Sequence, residues 1–203
     1  MRPKKGLFAS IEGPSGAGKS TALAQLKSLD LLDETKTIYT KEPTPDFNLN
    51  NENNLSGRDL LKTLLEDREK HVSEIIAPNI NKLNNVITDR YILSSLVFQR
   101  VDGLSLEEIW QRNSHFPQPD ITIVLTANFD IITERLSQRS ELSRFKQIEN
   151  RRREQSYLLD GIIFLRNKGW YVKVIDTTQI TEEVVCKQIV SEVKKLRHET
   201  PTN

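Results

Sequence analysis

The chain has 203 residues, a formal net charge of +1 from 29 lysines and arginines against 28 aspartates and glutamates, 36% hydrophobic residues and one cysteine. That size and apolar content predict one domain over residues 1–203 with a substantial core, and the near-neutral charge argues against broad nucleic-acid binding. The lone Cys186 excludes an internal disulfide or a cysteine-built zinc site, no run of about 18 apolar residues offers a membrane span, and residues 1–6 lack the core of a signal peptide, so a cytoplasmic location is expected.

Leu7-Phe8-Ala9-Ser10-Ile11-Glu12 reads as a buried strand that runs into Gly13-Pro14-Ser15-Gly16-Ala17-Gly18-Lys19-Ser20-Thr21 and then into a helix. Strand, glycine-rich loop and helix in this order make a phosphate cradle. Glycines let successive amide N–H groups turn inward toward an anion, and the helix aims its positive end at the same point. Lys19 is expected to reach the β- and γ-phosphates of ATP and Ser20 to hold Mg2+. The four fixed positions of the loop arise by chance in on the order of one chain in a hundred of this length.

Residues 36–40 follow as a second strand, 48–56 as a polar, Asn-rich loop, and helices resume near Gly57. Leu60, Leu61, Leu64 and Leu65 recur at helical spacing, continued by Val72, Ile75 and Ile76 until Pro78 marks a turn or kink. Residues 85–89 read as a buried strand ending in Asp89, followed by helices over 93–100 and 104–113. The fourth strand is placed at 120–125, with Asn128 capping a helix over 129–138. Residues 139–149 are charged and lid-like, and a helix continues toward Leu165. The fifth strand is placed at 170–175, Thr181 caps the last helix, which buries Val185, Ile189, Val193 and Leu196, and residues 198–203 are expected to be disordered. Cys186 is expected to pack in that helix, and Arg151, Arg152 and Arg153 to lie on a solvated face. Alternation of strands with helices predicts an α/β fold with a five-stranded parallel sheet covered on both faces.

In such a sheet the ligand crevice lies beyond the carboxyl ends of the strands. Lys41-Glu42-Pro43-Thr44, Asp89-Arg90-Tyr91 and the segment from Arg135 to Arg144 all fall at strand exits or just beyond them, and would converge on the phosphate loop. Phosphoryl transfer demands charge neutralisation around the moving group rather than covalent work by the protein. Asp89 is expected to orient a magnesium shell through water, Arg90 to hold the acceptor's phosphate, and Arg139 and Arg144 to be brought by a lid onto the transferred group. The plainer reading of Asp89 and Arg90 is a surface ion pair, and of the lid arginines a solvated segment.

Taken together, these motifs resemble the thymidylate kinase family over nearly the whole length. Ile11-Glu12-Gly13 through Thr21 matches its phosphate loop, and Leu65-Glu66-Asp67-Arg68-Glu69-Lys70-His71-Val72 looks like its Ala-Asp-Arg-x-x-His-Val helix. Asp89-Arg90-Tyr91-Ile92-Leu93-Ser94-Ser95-Leu96-Val97-Phe98-Gln99 fits its Asp-Arg-Tyr-x-x-Ser-Ser-x-Ala-Tyr-Gln pattern, Pro119-Asp120-Ile121-Thr122 its Pro-Asp-Leu-Thr strand, and Arg139-Ser140-Glu141-Leu142-Ser143-Arg144 the bacterial lid. The resemblance implies the three-layer P-loop kinase fold with a short lid. It also implies transfer of the γ-phosphate of magnesium-ATP to a deoxynucleoside monophosphate, dTMP first among them. Carried over, Arg68 meets the pyrimidine base, Ser94, Ser95 and Gln99 lie along it, Phe98 stacks near the sugar, Glu42 belongs to the acceptor site, and Arg90 holds the acceptor phosphate. With no arginine in the phosphate loop, the resemblance assigns the catalytic arginine to the lid, and it implies a homodimer.

Two departures stand out. Ser15 occupies a position where family members carry a carboxylate placed to touch the acceptor sugar, and Lys41-Glu42-Pro43-Thr44-Pro45-Asp46 lacks the family's glycine pair, with Arg58 the candidate for an arginine found downstream. These keep a second reading open, a deoxynucleoside kinase in which Glu42 deprotonates a free 5′-hydroxyl. A third is a non-catalytic nucleotide-dependent regulator, against which stands the lack of any strand ending in Asp-x-x-Gly.

Overall fold

The computed structural model describes residues 5–28, 36–137 and 148–198. Its centre is one parallel five-stranded sheet built from β1 (Phe8–Glu12), β2 (Thr37–Lys41), β3 (Asn85–Asp89), β4 (Ile121–Thr126) and β5 (Val172–Asp176), in the order β2-β3-β1-β4-β5. The expected α/β class and strand count hold. β1 is central and buried along its whole length, which is why Phe8, Ala9 and Ile11 put apolar side chains on both faces rather than alternating with exposed polar ones. Successive side chains still point to opposite faces. Phe8, Val86, Val124 and Val172 pack with α3 (Gly57–His71), α5 (Ile92–Val101) and α8 (Ile148–Asn167) in one core. Ala9, Ile11, Ile87 and Ile123 pack with α1 (Lys19–Ser28) and α9 (Glu182–His198) in the other.

Register puts the strand ends together at one edge: Ile11 lies opposite Asp89, and Lys41 also lies opposite Asp89. The exits of β1, β2 and β3 therefore open into the same space, on the side where each strand hands over to a loop.

Local details depart from expectation for identifiable reasons. Within the predicted loop over 48–56, Asn50–Asn54 form the short helix α2. The long helical pattern after Gly57 is divided: α3 ends at His71, Val72–Ile76 make one π-helical turn, and α4 (Ala77–Asn81) restarts with Pro78 in its first turn. Proline has no N–H to continue the ladder, and the Ala77 amide bonds five residues back to Val72 O, the wide spacing that absorbs the break. Asp120 sits outside β4, its Oδ2 accepting from the Phe8 amide at 2.8 Å. Trp170 and Tyr171 precede β5, which runs on to Asp176. After Ser105 accepts from the Glu108 amide at 3.1 Å, α6 runs over Leu106–Asn113. α7 (Phe129–Ser137) begins after Asn128, whose amide bonds Thr178 Oγ1 and whose carbonyl accepts from Ile132. Thr181 Oγ1 accepts from Val184 N at 3.4 Å, and the buried Cys186 thiol donates to Gln25 Oε1 at 2.9 Å, as packing roles require. Most of the expected lid, and residues 199–203, lie outside the described residues. Among the described residues no helix is long and apolar enough to cross a membrane.

Candidate active site

The phosphate loop takes its shape from glycine. Gly13 has φ +133°, and a Cβ there would stand 2.1 Å from Leu125 O, so only glycine lets β1 end against β4 and turn. Gly16, at φ +87°, lies under α7, with a Cβ position 3.2 Å from Ile132 O. From α7, Arg135 donates to Gly16 O at 3.4 Å, Thr177 Oγ1 at 3.0 Å and Thr177 O at 2.9 Å, clamping the loop to the segment after β5. Sequence reasoning placed Arg135 at the start of the lid region and missed this bracing role.

Lys19 opens α1 and folds back over the loop. Its ammonium is buried and donates to Gly13 O at 2.8 Å and Pro14 O at 2.9 Å. Burial, with the nearby Arg90 charge, lowers its pKa to about 7 against the opposing pull of Asp89, Glu12 and Glu154. Ser20, in the first turn of α1, is exposed.

At the exit of β3, Arg90 adopts φ +72°, a left-handed conformation uncommon for a residue other than glycine, pinned by its amide to Ile11 O at 2.9 Å and by Thr88 Oγ1 to its carbonyl at 2.9 Å. Its guanidinium donates to Gly13 O at 3.3 Å and Ser94 Oγ at 3.1 Å, and lies 5.0 Å from the centre of the Phe98 ring. Asp89 Oδ1 is buried with no hydrogen-bond partner among the described residues. The contacts of the Arg90 guanidinium go to Gly13, Ser94 and Phe98 rather than to Asp89, so the two do not make a surface salt bridge.

The exit of β2 supplies a buried ion cluster. Arg68 of α3 reaches Glu42 Oε2 with Nε at 2.8 Å and Nη2 at 2.6 Å, while His71 Nδ1 lies 2.9 Å from Glu42 Oε1. A carboxylate only accepts, so His71 donates from Nδ1, and its Nε2 meets Thr40 Oγ1 at 2.9 Å. Arg68 is completed by Asn113 Oδ1, Ser95 Oγ at 3.1 Å and the faces of Tyr91 and Phe116. Burial opposes ionisation of Glu42, but Arg68 and His71 outweigh it and hold the carboxyl below its ordinary range. With both oxygens committed to Arg68 and His71, Glu42 is built as an anchor, and the general-base reading loses its geometric footing.

Between this cluster and the phosphate loop lies a cleft of about 170 Å³. Its lining includes Ser15, Glu42, Arg68, Arg90, Ser94, Ser95, Phe98 and Gln99, with Arg90 and Ser94 bonded to each other and Arg68 bonded to Glu42 and Ser95. Leu60 and Leu64 add apolar wall. Gln99 Oε1 is buried without a hydrogen-bond partner among the described residues, an acceptor left over by the protein's own contacts. All the acceptor residues read from the sequence thus meet in one place. Arg58 does not: its side chain is 70% exposed and paired with Glu108 at 2.6 Å, so it corrects the expectation of a site arginine there. Arg139 and Arg144 lie outside the described residues. One participant was missed altogether, Glu12, whose Oε2 accepts from Ser94 Oγ at 2.6 Å. A carboxylate ending an apolar strand just before a phosphate loop was the available signal.

Comparison with known proteins gives a consistent result. A family model described as thymidylate kinase matches residues 11–189. The chain is 33% identical over 202 residues to a thymidylate kinase of Xylella fastidiosa (strain M23), covering 95% of this chain and 90% of that one. It is 31% identical over 183 residues to a probable thymidylate kinase of Archaeoglobus fulgidus, covering 88% and 90%. Its fold matches the structure of thymidylate kinase from Candida albicans with a TM-score of 0.75 over 98% of this chain and 96% of that one, at 21% identity.

Proposed function

This chain belongs to the thymidylate kinase family of ATP-dependent nucleoside monophosphate kinases, and we propose that it transfers the γ-phosphate of ATP to dTMP, giving dTDP and ADP. One observation supports the reading above the others: Lys19 Nζ and Arg90 Nη1 reach the same atom, Gly13 O, at 2.8 and 3.3 Å. A cation suited to the donor phosphates and one suited to an acceptor phosphate are therefore neighbours, as in-line transfer needs.

In this reading the amides of Gly13 through Thr21 cradle the ATP phosphates and Lys19 leaves its carbonyl contacts for the β- and γ-oxygens. Arg90 holds the acceptor phosphate, one oxygen of which attacks the γ-phosphorus as the bond to the β-bridging oxygen breaks and ADP leaves. The acceptor phosphate is already an anion, so no base is required, consistent with Glu42 being occupied by Arg68 and His71. Arg68 faces the base, Ser94, Ser95 and Gln99 lie along it, and Phe98 stacks near the sugar. The buried oxygen of Gln99 suits the ring N–H of thymine. Arg139 and Arg144 carry the proposed transition-state charge contacts from the lid.

Magnesium fits the residues present. Asp89 Oδ1 is a buried oxygen with no hydrogen-bond partner among the described residues, and Ser20 offers an exposed hydroxyl, a sparse donor set suited to an ion that keeps its waters and substrate phosphates. When bound, the ion neutralises charge on the phosphate oxygens. The proposal also places the enzyme in the cytoplasm as a homodimer, with the exposed Leu159 and Ile163, one turn apart on α8, as apolar surface for a second copy.

The test is ADP release over a panel of nucleoside monophosphates and free nucleosides with magnesium-ATP. Turnover with dTMP supports the proposal. Turnover with thymidine alone would instead establish the nucleoside kinase reading, and acceptor-independent behaviour would point to a regulator.

A further inference from the structure

Glu12 is the only charged residue of β1 and is 1% exposed. A carboxyl in such a place must be held by specific neighbours. Ser94 donates its single hydroxyl proton to Glu12 Oε2 at 2.6 Å, which turns the serine lone pairs toward Arg90, whose Nη1 donates to Ser94 Oγ at 3.1 Å. The polarity of this relay is fixed by the acid: without an acceptor at position 12 the hydroxyl is free to rotate and spend its proton elsewhere. Glu12 itself does not line the acceptor cleft. It borders instead a cavity of about 10 Å³ shared with Gly13, Pro14, Arg90 and Glu154, room for about one water beside its second oxygen, which has no hydrogen-bond partner among the described residues.

We propose that Glu12 is a positioning residue that fixes the direction of the Ser94 hydroxyl and, through it, the rotamer of Arg90 that receives the acceptor phosphate. Three kinds of support converge. The backbone of Arg90 is held in a strained left-handed conformation, which sets the direction of its Cα–Cβ bond and leaves the side-chain torsions to be fixed by contacts. Phe98, 5.0 Å from the guanidinium, gives a surface to lie on but no directional bond, whereas Ser94 gives Nη1 the shorter of its two directional bonds, 3.1 Å against 3.3 Å to Gly13 O. Burial raises the pKa of Glu12 above its ordinary range against the opposing influence of Ser94, Arg90 and Lys19, and the ionised carboxylate these neighbours favour offers Ser94 acceptors alone. An arginine pre-set for phosphate binds it more tightly than one that must be ordered on arrival.

The inference rests on the acceptor-phosphate role given to Arg90 above. Steady-state kinetics of Glu12→Met, Glu12→Gln, Ser94→Ala and the double variants test it, with thermal melts to confirm folding. Glu12→Met and Ser94→Ala are each expected to raise KM for dTMP about tenfold while KM for ATP stays within about twofold, the loss of one charge-assisted link acting on one substrate. Glu12→Gln keeps an oxygen acceptor and is expected to stay within about threefold of wild type. Because the two residues act in series, Glu12→Met/Ser94→Ala is expected to be no worse than the worse single variant. Multiplying effects, or a parallel rise in KM for ATP, would overturn the proposal. Should Glu12→Met not fold, near-wild-type kinetics of Glu12→Gln and equality of Glu12→Gln/Ser94→Ala with Ser94→Ala decide the same point, and a defect in Glu12→Gln as large as in Ser94→Ala would overturn it. A wild-type enzyme inactive on dTMP would refute the function itself, whereas active wild type with multiplying variants would refute only this inference.

Discussion

Replacing Glu42 by alanine removes the anchor of the buried cluster. The side chains of Arg68 and Glu42 are 4% and 7% exposed, and the pair closes at 2.6 Å, so the variant leaves a guanidinium with no carboxylate in the interior. Stranding a buried charge in this way costs about 3–5 kcal/mol. For a domain of this size each kcal/mol moves Tm by about 2–4 °C, which gives an expected fall of about 6–20 °C. The double variant Glu42→Ala/Arg68→Met removes both charges and is expected to recover much of the loss. Differential scanning fluorimetry and urea titration read both, and KM for dTMP should rise in the single variant because Arg68 lines the cleft. The pH dependence has a definite sign. Glu42 titrates below its ordinary value of 4.5 when folded, so its contribution is complete above 4.5 and is lost as pH falls through the lower folded value. A Glu42→Ala protein melting within about 2 °C of wild type would refute the reasoning. Glu42→Gln separates anchor from base: a base predicts a collapse of kcat, the anchor a change mainly in stability and KM.

Lys19→Ala is expected to lower kcat by about 100-fold or more with the fold intact, and unchanged turnover would refute its role. Because burial and Arg90 bring its pKa down to about 7 in the free protein, ATP phosphates that restore the charge should draw in a fraction of a proton near neutral pH. Calorimetry in buffers of different ionisation enthalpy measures that uptake, and none at pH 7 would contradict the free-state geometry. Arg139→Ala or Arg144→Ala is expected to reduce kcat far more than ATP affinity, and an effect confined to binding would remove the lid assignment.

Much of this was legible before any coordinates because the carriers are local. The glycine pattern of residues 13–18 needs no distant contact to be recognised, and its Cβ clash with Leu125 O shows why Gly13 is fixed. Strand identity survived because Phe8, Ala9 and Ile11 put apolar side chains on both faces, as a central parallel strand requires, with the one hydroxyl between them, Ser10, bonded to Thr122. What escaped was set by partners far along the chain. Nothing near Glu42 in sequence reveals that Arg68 and His71 close on it, yet those contacts decide between anchor and base. Arg58 looked suitable by position alone until Glu108, fifty residues on, claimed it. The π-helical turn after His71 hides inside a continuous helical pattern, because apolar spacing does not register one wider turn.

The central claim, that donor and acceptor phosphates meet on either side of Gly13, is tested most directly with a single molecule that joins the 5′ ends of adenosine and thymidine through five phosphates. If Lys19 and Arg90 serve neighbouring phosphates, it competes with both ATP and dTMP and binds more tightly than either alone. Inhibition that raising ATP relieves but raising dTMP, at fixed sub-saturating ATP, leaves unchanged would contradict the account.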